Sequence, residues 1–133
     1  MPDGLRTRDS GCGWGRHRTE PWTELDDWDR MSVASDCILI TVRHQLEVLL
    51  HLRENDPHRS EWALPGKFVN ANQRSEDVAI LAVKEKCGFR FDGYLEHLDW
   101  SWEPGRDPRG WVGTCVHLGL VHSAPVERAI VGR

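Results

Sequence analysis

Trp62–Phe89 reads WALPGKFVNANQRSEDVAILAVKEKCGF, and the order of its parts decides the fold. A turn at Leu64-Pro65-Gly66 runs into a short apolar strand at Phe68-Val69. A polar loop, Asn70-Ala71-Asn72-Gln73-Arg74, then leads to Ser75 and a helix that stops at Gly88. Ser75 suits the N-cap, where a side-chain oxygen accepts from a free first-turn amide, and Glu76 and Asp77 suit the positive end of the helix dipole. Gly88 is a natural stop, since glycine alone enters the left-handed region without strain. At about 100° per residue, Glu76, Ala79, Ile80, Val83 and Cys87 share a largely apolar side, predicted to face the core. Val78, Ala82, Glu85 and Lys86 share the other.

This strand–loop–helix arrangement resembles the Nudix family, whose signature places a Gly and a Glu in the loop and an Arg-Glu-x-x-Glu-Glu cluster on the helix. Residue by residue, Lys67 stands at the second glycine and Gln73 at the loop glutamate. Leu81 and Ala82 stand at the Arg-Glu pair, Glu85 and Lys86 at the Glu-Glu pair, and Gly88 at the closing glycine. Of the acids, Glu85 alone remains. The resemblance implies that the Val78–Lys86 side faces the metal. A hard cation such as Mg²⁺ takes oxygen ligands, mainly carboxylates and phosphate oxygens. Metal-assisted attack on a diphosphate also needs charge neutralisation and an activated water. One carboxylate, one methyl and one ammonium serve neither need. The expectation is a Nudix outline without its metal-dependent hydrolase chemistry and with no metal, or with Glu85 as the contact if there is one. The helix alone also fits a plainer reading, with Glu85 and Lys86 on a solvated face and Lys67 an ordinary loop lysine. Gln73 keeps hydrogen-bonding capacity but no charge.

A second stretch, Tyr94–Val121, reads YLEHLDWSWEPGRDPRGWVGTCVHLGLV. Its Leu95-Glu96-His97-Leu98, followed by Arg106-Asp107-Pro108-Arg109-Gly110 and an alternating strand, resembles the ADP-ribose pyrophosphatase branch of Nudix proteins. The same domain type forms the ligand-sensing half of certain NAD-metabolism repressors, which carry a DNA-binding domain after it. Pro104-Gly105 and Pro108 mark a turn between strands. Val112, Thr114, Val116, Leu118 and Leu120 form one strongly apolar face, alternating with Trp111, Gly113, Cys115, His117 and Gly119. The loop brings Arg106 and Arg109 together. They form either a phosphate clamp or a salt-bridged hairpin tip with Asp107 as partner.

The chain has 133 residues, enough for one compact domain. A net charge of −4 argues against a nucleic-acid-binding surface, which is usually a basic face. Arg6, Arg8, Arg16 and Arg18 are diluted by Asp3, Asp9 and Glu20. No apolar run reaches membrane-spanning length and no signal-peptide core is visible, so a cytoplasmic protein without membrane contact is expected. Cys12, Cys37, Cys87 and Cys115 lack zinc-site spacing, and the seven histidines form no metal pattern.

The expected fold class is α/β, a Nudix-like α/β/α sandwich with a mixed sheet. Residues 1–34 are read as an N-terminal extension: Met1–Arg18 disordered, then a short helix with Trp22, Leu25 and Trp28 as its apolar stripe. Residues 35–133 are the Nudix-like domain, opening with strands at Cys37–Val42 and Leu46–Leu52. The tail after Val121 leaves room for one short element where the family continues with a strand and a helix. A sheet so covered exposes apolar surface, and the seven tryptophans supply interface area, so a homodimer is expected.

Three functional classes follow from the residues and the resemblance. The first is a non-hydrolytic module that binds a nucleotide-type small molecule such as ADP-ribose, or a protein partner. The second is an active Nudix hydrolase of ADP-ribose-like nucleoside diphosphate derivatives that uses Mg²⁺. The third is a Nudix scaffold recruited to metal-independent chemistry. The candidate ligand-binding residues are Lys67, Lys86, Arg106 and Arg109 as fixed positive charge, with Trp62 or Trp111 to stack on a base. Glu85 and Glu96 are the candidate acid–base residues.

Overall fold

The computed structural model describes residues 28–122 and the strand at 130–132. Its sheet runs in the order β3-β2-β1-β6-β5, with β4 also pairing β1 and β7 also pairing β2. The strands are β1 (Ser32–Val42), β2 (Leu46–Leu52), β3 (Trp62–Ala63), β4 (Gly66–Phe68), β5 (Leu95–Ser101), β6 (Val112–Leu120) and β7 (Ile130–Gly132). The β1–β6 pairing is parallel and the others are antiparallel, so the sheet is mixed as expected. The helix α1 (Ser75–Cys87) is the one helix among the described residues, and it is too short to cross a membrane. The first eighteen residues and the Trp22–Asp27 part of the expected helix lie outside the described residues, while Trp28 is exposed.

Strand β1 organises the domain because it is long and has neighbours on both edges. It begins at Ser32, ahead of the expected Cys37, so the sheet takes in the last residues of the expected extension. The reason is pairing: Ser32–Ile40 run beside Val112–Leu120, and Ala34–Asp36 also pair Gly66–Phe68. Ladder hydrogen bonds hold even the polar Ser-Val-Ala-Ser run extended, where side-chain pattern gave no strand signal. Alternation decides the faces. Ser35, Cys37, Leu39 and Thr41 are buried, while Ala34 and Asp36 point to the opposite side of the strand.

Cys37 and Leu39 form the core with Leu49, Ala79, Val83 and Phe91. Helix α1 thus buries Ala79 and Val83 as predicted, but Val78 and Ala82, assigned to the metal side, are buried as well. Two adjacent small or branched residues widen the apolar stripe, so the helix sinks deeper than a narrow stripe would allow. The N-cap is Arg74 with extended backbone and no side-chain cap bond, and Ser75 is the first helical residue. Ser75 is tied down differently: its carbonyl accepts from the Ser35 hydroxyl at 2.7 Å. The stop falls at Gly88 as predicted, with φ 65° and its amide donating to the Lys84 carbonyl.

Strand β6 departs from a one-sided alternation. Leu120 is 74% exposed, whereas His117, from the opposite set, is 1% exposed. Both alternating sets hold buried residues, Val112 and Thr114 in one and Gly113, His117 and Gly119 in the other. No described residue hydrogen-bonds either His117 ring nitrogen, and burial holds its pKa below the ordinary value.

Candidate functional site

Six segments converge on a groove of about 360 Å³. Its floor is laid by the alternate residues Ala34 and Asp36 of β1 and by Val112 and Thr114 of β6. One wall is Gly66-Lys67-Phe68 on β4 with Lys86 from the last turn of α1. The other wall is the Arg106–Arg109 loop, and the Arg53–Asp56 segment closes an end. Five basic and three acidic side chains line it: Arg53, Lys67, Lys86, Arg106 and Arg109 against Asp36, Asp56 and Asp107. The local balance is positive although the chain carries −4. A concave surface with clustered cations concentrates anions.

The cations are not equivalent. Lys67 donates to Glu85 at 2.7 Å across the β4–α1 junction. Arg109 grips Asp107 with two parallel bonds, at 2.9 and 2.7 Å, and its guanidinium lies 5.0 Å from the centre of the Phe68 ring. Those bonds hold the Asp107 carboxyl down to about 2. The loop is therefore the salt-bridged tip at Arg109, one of the two arrangements the sequence allowed. Arg106 is different: its described bond is a long one, 3.4 Å, to the Val112 carbonyl. Arg53 donates from Nε to the Pro57 carbonyl at 2.7 Å, with no hydrogen bond from its outer nitrogens among the described residues.

Lys86 stands at the centre of this charge. Its ammonium donates to the Gly66 carbonyl, bridging the end of α1 to β4. The residue as a whole is exposed, yet burial lowers its pKa, and Arg53 and Lys67 push the same way against the opposing pull of Asp36. A cation whose pKa is lowered partly by neighbouring cations gains when an anion arrives.

Lys67, Lys86, Arg106 and Arg109 thus share one groove. Glu85 faces an adjoining depression of about 160 Å³ with His51 and Asn55. Glu96 lies on β5 opposite Leu118, exposed and away from the groove. Trp62 of β3, paired with Leu52 of β2, and Trp111, whose indole donates to the Trp102 carbonyl at 3.3 Å, do not line it. The aromatic at its rim is Phe68, 39% exposed. Asp36, Arg53, Phe68 and Thr114 escaped the sequence reading.

The Nudix signature implies Mg²⁺, and these side chains do not fit it. Glu85 is occupied by Lys67, the ammonium of Lys86 holds the Gly66 carbonyl, and Ala82 is fully buried. Gln73, at the loop-acid position, closes its own loop by accepting from the Asn70 amide at 2.9 Å. Among the described residues no group of three or more His, Cys, Asp or Glu is placed to hold a metal ion.

No family model matches the sequence. Relatives do. The ADPR responsive transcriptional repressor NtrR of Acinetobacter baylyi is 38% identical over 110 residues, covering 80% of this chain and 44% of that protein. The low-salt glycan biosynthesis protein Agl8 of Haloferax volcanii is 30% identical over 111 residues, 76% of this chain and 71% of that protein. The ADP-ribose pyrophosphatase of Methanocaldococcus jannaschii is 33% identical over 72 residues, 54% of this chain and 42% of that protein. The chain therefore spans less than half of the repressor and of the pyrophosphatase. Among solved structures, a MutT/nudix family protein from Enterococcus faecalis superposes with a TM-score of 0.69 at 32% identity, over 86% of this chain and 48% of that one. The NUDIX domain of Shewanella oneidensis NrtR, crystallised with ADP ribose, does so with a TM-score of 0.68 at 28% identity, over 80% of this chain and 72% of that one. With this mixed sheet, this helix and these relatives, the chain belongs to the Nudix superfamily.

Proposed function

We propose that this domain binds an ADP-ribose-like nucleoside diphosphate through fixed cations in place of a metal, and does not hydrolyse it. The observation that carries this reading is Lys86. It stands where the signature has a carboxylate, and its ammonium sits on the Gly66 carbonyl inside a groove rich in basic side chains. An ammonium and two guanidinium groups hold a diphosphate by charge-assisted bonds without Mg²⁺. Hydrolysis, by contrast, needs an activated water and a charge-neutralising ion that these side chains are poorly equipped to hold. The relatives named for ADP-ribose support the ligand class, and the binding role follows from the groove.

Arg53 and Arg106 are the guanidinium groups with the most donor capacity left for a ligand. Losing charged hydrogen bonds of about 1.5 kcal/mol each predicts that Arg53→Ala with Arg106→Ala weakens ADP-ribose binding by a factor of about 100. Titration calorimetry in EDTA measures this. Unchanged affinity in the double variant, or no binding by the unaltered protein below millimolar, would remove the reading.

A further inference from the structure

A groove built only to hold phosphate gains nothing from a carboxylate on its floor, yet Asp36 is there. Like charges repel, so the aspartate must lower the groove's affinity for a bare phosphate anion. Two neighbours hold it in place. The Thr114 hydroxyl donates to Oδ2 at 2.9 Å, and it is the one hydrogen-bond donor to this carboxylate among the described residues. Gly66, paired with Asp36 across β1 and β4, gives the other oxygen its room: a Cβ at position 66 would lie 1.8 Å from Oδ1. An ionised carboxylate accepts up to about four hydrogen bonds, so Oδ1 keeps its capacity and Oδ2 keeps part.

Burial raises the Asp36 carboxyl pKa, against the Thr114 bond and the charges of Arg106, Lys86 and Arg53. A raised folded-state value means that ionisation costs the folded protein stability as pH rises through that value. A residue placed at such a cost, where three cations and a phosphate-sized groove meet, has a use in recognition.

We propose that Asp36 is the specificity-determining acceptor of the groove: its Oδ1 takes a hydrogen bond from a sugar hydroxyl while the cations hold the diphosphate. The groove then prefers a sugar-bearing diphosphate to inorganic pyrophosphate. This rests on the nucleotide-binding reading above and adds what that reading lacks, a source of selectivity. A site that pairs a ligand hydroxyl discriminates strongly against a molecule without one.

The test is titration of the protein and of Asp36→Asn with ADP-ribose and with inorganic pyrophosphate, in EDTA. Asparagine keeps the size and an acceptor for Thr114. The unaltered protein binds ADP-ribose at least tenfold more tightly than pyrophosphate. In Asp36→Asn, ADP-ribose affinity falls about tenfold while pyrophosphate affinity rises, because a repelling charge has gone. Opposite signs separate recognition from damage, since a merely structural aspartate would weaken both ligands together. That outcome, or ADP-ribose affinity unchanged in the variant, overturns the role of Asp36 and leaves the nucleotide reading standing. Equal affinity of the unaltered protein for both ligands overturns it without any variant. If the unaltered protein binds neither, the nucleotide reading itself fails and Asp36 loses its role with it.

Discussion

Lys86→Glu is expected to abolish metal-free binding of ADP-ribose, with affinity in EDTA falling by a factor of about 10³. The reversal removes a charge-assisted bond worth about 1.5–3 kcal/mol and puts a like charge against the ligand's phosphates. Lys86 is exposed as a residue, so the fold tolerates the change and thermal unfolding stays close to that of the unaltered protein. The same substitution places two carboxylates side by side, Glu85 and the new one, next to a freed Gly66 carbonyl. That is an oxygen-rich set suited to Mg²⁺. Binding lost in EDTA is therefore expected to return in part when Mg²⁺ is added. Titrations of the variant in both buffers decide the matter. Affinity within threefold of the unaltered protein in EDTA would show that Lys86 does not face the ligand.

Ala82→Glu is expected to act on the fold instead, destabilising the domain by about 3 kcal/mol in urea unfolding. Ala82 is fully buried in the middle of α1, between the buried Val78 and the core residue Val83. A carboxylate there has to displace packed neighbours or reach the groove edge, and burying a charge without a partner is costly. The two helix acids missing from the signature thus have different consequences when put back. Position 86 opens on the groove and position 82 does not. Unchanged stability in Ala82→Glu would mean that the helix shifts readily and that position 82 reaches solvent.

These expectations come from packing that the one-dimensional pattern does not carry. The helix was legible, since Gly88 punctuates its end and Glu76, Asp77, Ala79 and Val83 mark its start and its inner face. The burial of Val78 and Ala82 was not, because small residues beside an apolar stripe belong to either face until a neighbour covers them. Strands β1 and β2 were legible over Cys37–Val42 and Leu46–Leu52 as short apolar runs joined by a turn. The start of β1 at Ser32 was not, because its polar opening is held by the β4 and β6 ladders. The gathering of Lys67, Lys86, Arg106 and Arg109 rests on the pairing of β1 with both β4 and β6, which brings residues far apart in the chain to one groove. The same crossing explains why Arg53, Asp36 and Thr114 were missed. Each is unremarkable beside its own chain neighbours and acquires meaning only across strands. Trp62 and Trp111 were chosen for stacking by chemistry alone, and neither lines the groove.

The central claim is that fixed cations, with Lys86 foremost, take the place of a metal ion. It is tested most directly by titrating ADP-ribose into the protein in EDTA and again in Mg²⁺, and recovering the ligand afterwards for ³¹P spectra. The account predicts the same affinity in both buffers within about a factor of three, on the order of 0.6 kcal/mol, and a diphosphate recovered intact. Binding that appears only with Mg²⁺, or release of AMP in its presence, would contradict it.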